Sequence, residues 1–239
     1  MPHQQYFDGV AAQWDKLVAG EPTRRLGEII AALDIAPGST VIDVGCGTGV
    51  LFPMLAAKAG PPAGRIIALD VSRQMLLRAR EKLISTVRVS TDPANVILSP
   101  PGAKELGPTA DEILRRPEAP QDDADEVAIH LVQADAQNLA LPDGVADWVI
   151  ANSVFPHVHD KAFTLREMHR VLRRGGRMVI CHFNGREAVN ALHRRIGGAI
   201  GDDQLPPNHE MLRMVAEAGF LDITLQDAAD RYALGAGKS

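Results

Sequence analysis

Two spacings of apolar residues alternate along most of the chain. Short, nearly unbroken runs occur at Thr40 to Val44, Arg65 to Leu69, Ala128 to Gln133, Ala146 to Ala151 and Arg177 to His182. Their length and content suit strands buried on both faces. Between the runs, apolar residues recur three or four apart: Leu51, Met54 and Leu55; Met75, Ala79 and Leu83; Met211, Val215 and Ala218. That spacing predicts helices with one inward face. Lys161 to Arg173 is a further predicted helix, with Leu165, Met168 and Leu172 inward and Gly175 as its C-terminal cap. Glu187 to Ile200 reads as an amphipathic helix loosened by Gly197-Gly198. Ser72, Asp160 and Asn208 stand where side chains can cap helix N-termini. The last two runs, Phe220 to Gln226 and Arg231 to Ala236, are expected to pair as a terminal hairpin. Strand–helix alternation of this kind predicts an α/β fold: a doubly wound, mainly parallel seven-stranded sheet with an antiparallel C-terminal hairpin.

Two segments depart from the alternation. Residues 1–36 read as a helical cap, with Phe7, Val10, Ala11, Trp14 and Leu17 along one stripe and a second helix from Thr23 to Leu33. Residues 86–126 contain SPPG, RRPEAP and QDDADE and read as an insertion, a mobile loop or lid, with Ala110 to Arg116 as a short helix inside it. The whole of 1–239 is expected to be a single domain.

Composition removes several classes of function. A net charge of -5 argues against a broad nucleic-acid surface. No apolar run is long enough to cross a bilayer, and MPHQQYFDGV lacks the regions of a signal peptide. Two cysteines, Cys46 and Cys181, provide neither a disulfide framework nor zinc-ligand spacing. A cytoplasmic protein without a metal is the expectation. The sequence leaves the oligomeric state open.

The strongest local signal is Val41-Ile42-Asp43-Val44-Gly45-Cys46-Gly47-Thr48-Gly49-Val50. An apolar strand ends in alternating glycines, and a helix follows. Gly45 and Gly47 can adopt dihedrals closed to other residues and let a ligand approach the backbone, while the helix start offers free N–H groups. Asp70, at the end of the next strand, stands where an acid can accept both ribose hydroxyls. A dinucleotide fingerprint requires a third glycine where this chain has Val50, which disfavours a nicotinamide-dependent oxidoreductase.

The Asp43 to Gly49 run resembles the first motif of class I S-adenosylmethionine-dependent methyltransferases. Asp70-Val71-Ser72-Arg73-Gln74-Met75, Gln133-Ala134-Asp135-Ala136, Leu141-Pro142-Asp143-Gly144 with Ala146-Asp147-Trp148-Val149, and Arg166 to Arg177 resemble later family segments, in family order. The pattern is most similar to the ubiquinone and menaquinone type of small-molecule methyltransferase, whose N-terminal helix folds over the cofactor as Tyr6-Phe7 to Trp14-Asp15 would. The resemblance implies a Rossmann-like fold, S-adenosylmethionine as methyl donor with S-adenosylhomocysteine as product, and a small-molecule acceptor. It implies a cofactor site of Asp43, Gly45, Cys46, Gly47, Asp70, Val71, Met75, Asp135, Ala136 and Asn152, with Asp70 on the ribose and Asp135 on the adenine amine. An S-adenosylmethionine-binding regulator or assembly subunit without catalysis remains the alternative.

The loop Ala151 to Asp160 follows the fourth strand and should face the acceptor. It lacks N-P-P-Y, which speaks against that type of nitrogen methylation. His157 is the candidate general base or pocket wall. Phe155, His182 and Arg194 are the candidate acceptor contacts, Arg194 as a clamp for a carboxylate or phosphate.

Overall fold

The computed structural model describes residues 2–61, 64–86, 96–97 and 127–239. The strands are β1 (Thr40–Val44), β2 (Arg65–Asp70), β3 (Val96–Ile97), β4 (Ala128–Gln133), β5 (Ala146–Asn152), β6 (Leu172–His182), β7 (Leu221–Ala228) and β8 (Arg231–Gly237). Among the described residues they form one sheet in the order β3-β4-β2-β1-β5-β6-β8-β7. All seven expected strands are present. β3 is an eighth, two residues long, which adds a parallel edge to β4. β8 runs antiparallel to both β6 and β7, completing the expected hairpin. Apart from Thr86 and β3, the expectations for residues 86–126 lie outside the described residues.

The central strands are apolar on both sides because helices cover both faces of the sheet. The helices are α1 (Pro2–Val10), α2 (Trp14–Val18), α3 (Glu21–Ala31), α4 (Phe52–Ala59), α5 (Arg73–Thr86), α6 (Lys161–Val171), α7 (Arg186–Ile196) and α8 (Asn208–Glu217). Ile42, Val44, Val149 and Ile180 share one core with Leu165 and Met168 of α6 and Met211 and Val215 of α8. Val41, Ile66, Ile150 and Val179 share the other with Leu26 and Ile30 of α3 and Phe52 and Leu55 of α4. Alternate residues of one strand thus enter different cores, as the pleat requires. Full burial of a Leu or Ile side chain stabilises by roughly 1.5–3 kcal/mol, so each face anchors its helices independently. β1 lies between β2 and β5, with its neighbours' crossovers on opposite sides. The carboxyl end of β1 is therefore the switch point at which such sheets open a crevice.

Several local expectations hold and several are corrected. Ser72 Oγ accepts from Met75 N at 3.2 Å, and Asp160 Oδ1 accepts from Phe163 N at 2.8 Å, so both residues cap their helices. The 161–173 helix instead ends at Val171, because Leu172 turns to extended backbone and pairs with Ala146. Gly175, with φ at 76°, lies within β6, and its N–H reaches Lys238 O at 2.8 Å. It does not cap α6. Pro207 occupies the position before α8, and the Asn208 amide is drawn off to Asp227 at 2.9 Å. Gly197, at φ 67°, stops α7 at Ile196 and leaves Gly198–Ile200 as a separate 3-10 turn. The N-terminal stripe is broken by a 3-10 turn at Ala11–Gln13, and Leu17 remains 60% exposed.

Candidate functional site

The crevice at the end of β1 opens into a cavity of about 480 Å³. Its floor is the glycine turn. The N–H groups of Gly45 and Cys46 both donate to Leu69 O, at 2.7 and 2.9 Å, which folds the turn back over β2. Gly45 (φ 68°) and Gly47 (φ 55°) lie in the left-handed region. A Cβ on Gly45 would sit 2.4 Å from Val154, so only glycine allows the β5 loop to close against the turn.

Asp70 ties the turn to the next strand. Its Oδ2 accepts from Gly47 N and its Oδ1 from Ser72 N, both at 2.8 Å. Each oxygen keeps a further lone pair for a ligand. Burial pushes the carboxyl up to about 6, against the pull of these backbone N–H groups. Beyond the end of the neighbouring strand β4, Asp135 Oδ1 accepts from Gln137 N at 2.9 Å. Cys46, Val71, Met75, Asp135, Ala136 and Asn152 join Gly45, Gly47 and Asp70 in the lining. Nine of the ten expected cofactor residues therefore converge on one space. The tenth, Asp43, lies buried in β1 just before the turn and outside the lining, and neither carboxylate oxygen has a hydrogen-bond partner. Burial, reinforced by Asp70, pushes its carboxyl up to about 7.

The N-terminal helices roof the cavity through acidic residues placed at the starts of other elements. Asp8 Oδ1 accepts from Ser72 Oγ at 2.6 Å and Gln74 N at 3.1 Å, at the start of α5. Asp15 Oδ1 accepts from Thr48 Oγ1 at 2.5 Å, beside the glycine turn. Carboxylates are favoured where free helix N–H groups gather. These bonds hold Phe7, Trp14 and Leu17 against the cavity.

The other side of the cavity, where the sequence leads one to expect an acceptor, is built from residues far apart in sequence. His157, in a 3-10 turn after β5, lines the cavity and packs edge-on against Phe7. Its Nδ1 is 2.7 Å from Asp203 Oδ2. Burial lowers its pKa below the usual 6.5, opposed by the hydrogen bond to Asp203. His182 also lines the cavity. It is fully enclosed, Nε2 lacks a partner, and burial drives its pKa down to about 3. The ring is therefore neutral. Two expected acceptor contacts do not reach the cavity. Phe155 is wholly buried in the core beneath the loop, and Arg194 lies on the exposed face of α7. Its neighbour His193 points inward instead, with Nδ1 2.7 Å from Asp203 O. Ser153, at φ 56°, is a further lining residue, held in a sparsely populated backbone region by its N–H bond to Cys181 O. Nothing in the sequence signals that strain. Among the described lining residues none is Lys or Arg, whereas Asp70 and Asp135 face the space. No group of His, Cys, Asp and Glu among the described residues could hold a metal, and no described helix is long and apolar enough to cross a membrane.

Two family profiles, each described as a methyltransferase domain, match residues 41–101 and 106–180. An uncharacterized 37.1 kDa protein in transposon TN4556 of Streptomyces fradiae is 32% identical over 70% of this chain, which spans 36% of that protein's length. The ubiquinone/menaquinone biosynthesis C-methyltransferase UbiE of Vibrio cholerae is 26% identical, over 92% of this chain and 80% of the relative. Among solved structures, phosphoethanolamine N-methyltransferase 2 of Haemonchus contortus, in complex with phosphomonomethylethanolamine and S-adenosylhomocysteine, superposes with a TM-score of 0.67 at 13% identity. That match covers 99% of this chain and 58% of the other, and it speaks to the fold.

Proposed function

Because the chain belongs to the class I S-adenosylmethionine-dependent methyltransferases, we propose that it moves the methyl group of S-adenosylmethionine onto a small, uncharged and largely apolar acceptor. The observation that carries this reading is the charge of the cavity: carboxylates at Asp70 and Asp135 and no Lys or Arg among the described lining residues, with the unpartnered Asp43 buried behind the glycine turn. A buried carboxylate without a donor is costly. A cationic ligand at the turn relieves that cost, and S-adenosylmethionine carries both a sulfonium and an ammonium. A dinucleotide pyrophosphate would instead place negative charge against these carboxylates.

In this reading Gly45 and Gly47 present bare backbone to the methionine part of the donor. Asp70 accepts from its ribose hydroxyls, Val71 and Met75 flank its adenine, and Asp135 with the Ala136 N–H reads the adenine edge. Cys46 contributes through its backbone, and Asn152 closes the cleft at the end of β5. The donor supplies an activated methyl group that is displaced in line, so the protein chiefly aligns the acceptor and excludes water. The roof of Phe7, Trp14 and Leu17 supports exclusion of water. The same lack of cationic residues that favours the donor disfavours an anionic acceptor. Leu192, Ile196 and Ile200 offer apolar walls on the acceptor side. His157, neutral at pH 7 because burial lowers its pKa, accepts a proton from an acceptor that must lose one.

The test is incubation with deuterated-methyl S-adenosylmethionine and a metabolite extract, followed by mass spectrometry of labelled products. The expected product is neutral and apolar. A labelled phosphate or carboxylate ester would contradict the acceptor reading, and no labelled product from any fraction would contradict catalysis.

A further inference from the structure

The loop between the Gly198–Ile200 turn and α8 brings one carboxylate into a cluster of three histidines from three elements. Asp203 Oδ2 is 2.7 Å from His157 Nδ1. His3 Nε2, from α1, is 3.1 Å from Oδ1 and 2.9 Å from Oδ2 of the same residue. His193 Nδ1, from α7, is 2.7 Å from the Asp203 carbonyl oxygen. The loop is not free to drift. Asn190 of α7 grips it two residues later, donating from Nδ2 to Leu205 O at 3.0 Å and accepting from Leu205 N at 2.8 Å, and Asn190 is 2% exposed.

An ionised carboxylate only accepts hydrogen bonds. The ring nitrogen of His157 that faces Asp203 must therefore carry the proton, which leaves Nε2 as the ring's acceptor. We infer that Asp203 is a positioning residue, which fixes His157 as the Nδ1–H tautomer with Nε2 free to take a proton from the methyl acceptor. This inference rests on the acceptor-side reading above. His3 shares the same carboxylate, so the bond that orients the base also pins the first helix over the cavity.

The charge balance around the pair supports this role. Burial lowers the pKa of His157, and the Asp203 hydrogen bond raises it, while His193 and His3 lower it further. Burial would raise Asp203, yet the hydrogen bonds from His157 and His3 hold it below the usual carboxylate range. Lys161 at the start of α6 interacts electrostatically with Asp203, and His182 on β6 interacts with both His157 and His193. A proton arriving at Nε2 makes an imidazolium whose positive charge faces the Asp203 carboxylate, while the Nδ1 proton stays in place. The arrangement follows the orienting logic of an acid–imidazole pair, in which the acid selects the tautomer and stabilises the cation without itself taking the proton.

The experiment is a nitrogen-15 histidine titration of the full chain, without ligand and with S-adenosylhomocysteine, for wild type, Asp203→Asn, Asp203→Ala and His3→Gln. Wild type is expected to show His157 as the Nδ1–H tautomer. Asp203→Asn should keep that tautomer and lower the His157 pKa, because the opposing negative charge is gone. Asp203→Ala should let the Nε2–H tautomer appear. His3→Gln should leave the tautomer unchanged. A cooperative thermal unfolding transition in each variant shows that the fold is intact. Once an acceptor is known, methyl transfer at neutral pH should fall roughly tenfold or more in both Asp203 variants, with the acidic limb of Asp203→Asn moved to lower pH. An Nε2–H tautomer in wild type, or an unmoved His157 pKa in a folded Asp203→Asn protein, overturns the inference. Failure to bind S-adenosylhomocysteine would instead count against the cofactor reading, and the tautomer measured without ligand would still decide the role of Asp203.

Discussion

The two walls of the cavity are built in opposite ways. The wall proposed for the cofactor is made by strand ends and backbone. The turn at Gly45 to Gly47 is stitched to β2 through Leu69 and Asp70, and Asp135 lies two residues beyond the end of β4. Each piece is short, local and held by the register of parallel strands. The wall proposed for the acceptor is made by side chains from α1, the loop after β5, α7 and the loop before α8, which meet around Asp203. Nothing local forces that meeting. It depends on how the helices pack and on the Asn190 clamp. The first wall is suited to one fixed ligand. The second is assembled from the parts of such folds most open to variation, where a change of acceptor costs the sheet nothing.

That contrast predicts different failures on the two sides. The largest effect belongs to the acceptor wall. His157→Ala should reduce single-turnover methyl transfer roughly 100-fold or more, the usual contribution of a positioned base, while S-adenosylhomocysteine affinity stays within twofold or so. Wild-type turnover should decline only below about pH 6.5, because burial lowers the pKa of His157 from that value. A Gln variant as fast as wild type across pH would make His157 a wall residue.

On the cofactor wall, Asp70→Ala should weaken S-adenosylhomocysteine binding by roughly tenfold to a hundredfold, the loss of a charge-assisted bond worth on the order of 1.5–3 kcal/mol. The ligand's hydroxyls need an ionised acceptor, so wild-type affinity should fall as pH drops through about 6, the value to which burial raises Asp70. Calorimetry at pH 7.5 and 5.5 measures both. Equal affinity in wild type and a folded variant would remove Asp70 from the site.

Asp43→Asn should act on stability. Its folded pKa of about 7 lies above the unfolded value near 3.8. The folded protein thus holds this proton more tightly, and stability falls as pH rises between those values and is flat above them. At pH 8 the ligand-free Asn variant should be more stable by up to about 2–4 kcal/mol, with the difference vanishing near pH 4. Thermal unfolding across pH reads this, and lower stability of the variant at pH 8 would contradict the orphaned-carboxylate account. The smallest effect is expected at Arg194→Ala. The residue is exposed and off the cavity, so turnover and binding should not change. A loss of acceptor affinity would bring back the anion clamp that the fold removes.

The same division decides what could be read from the chain alone. The convergence of Gly45, Gly47, Asp70 and Asp135 on one cavity was legible because each stands at or just beyond the end of a strand whose pattern the chain displays, whereas Asp43 stays within β1, outside the lining. The end of α6 was not. Leu172 continues a helical stripe, but strand pairing with Ala146 captures it. Phe155 sits in a loop that ought to face ligand, yet its ring is large and apolar and the core beneath takes it. On α7, Arg194 offered the charge expected of a clamp, while the one-residue rotation that turns His193 inward depends on packing against the 203–205 loop. The Asp203 carboxylate carried no local signal, since its partners lie 46 and 200 residues away.

An acidic cavity with no Lys or Arg among its described lining residues, floored by alternating glycines, is suited to the family's cationic methyl donor. The most direct test of that fit is titration calorimetry of the full chain with S-adenosylmethionine, S-adenosylhomocysteine and NAD under one buffer condition. Both sulfur nucleosides should bind saturably, weakened together in Asp70→Ala, and NAD should give no heat of binding. Binding of NAD with no response to either sulfur nucleoside would contradict that fit.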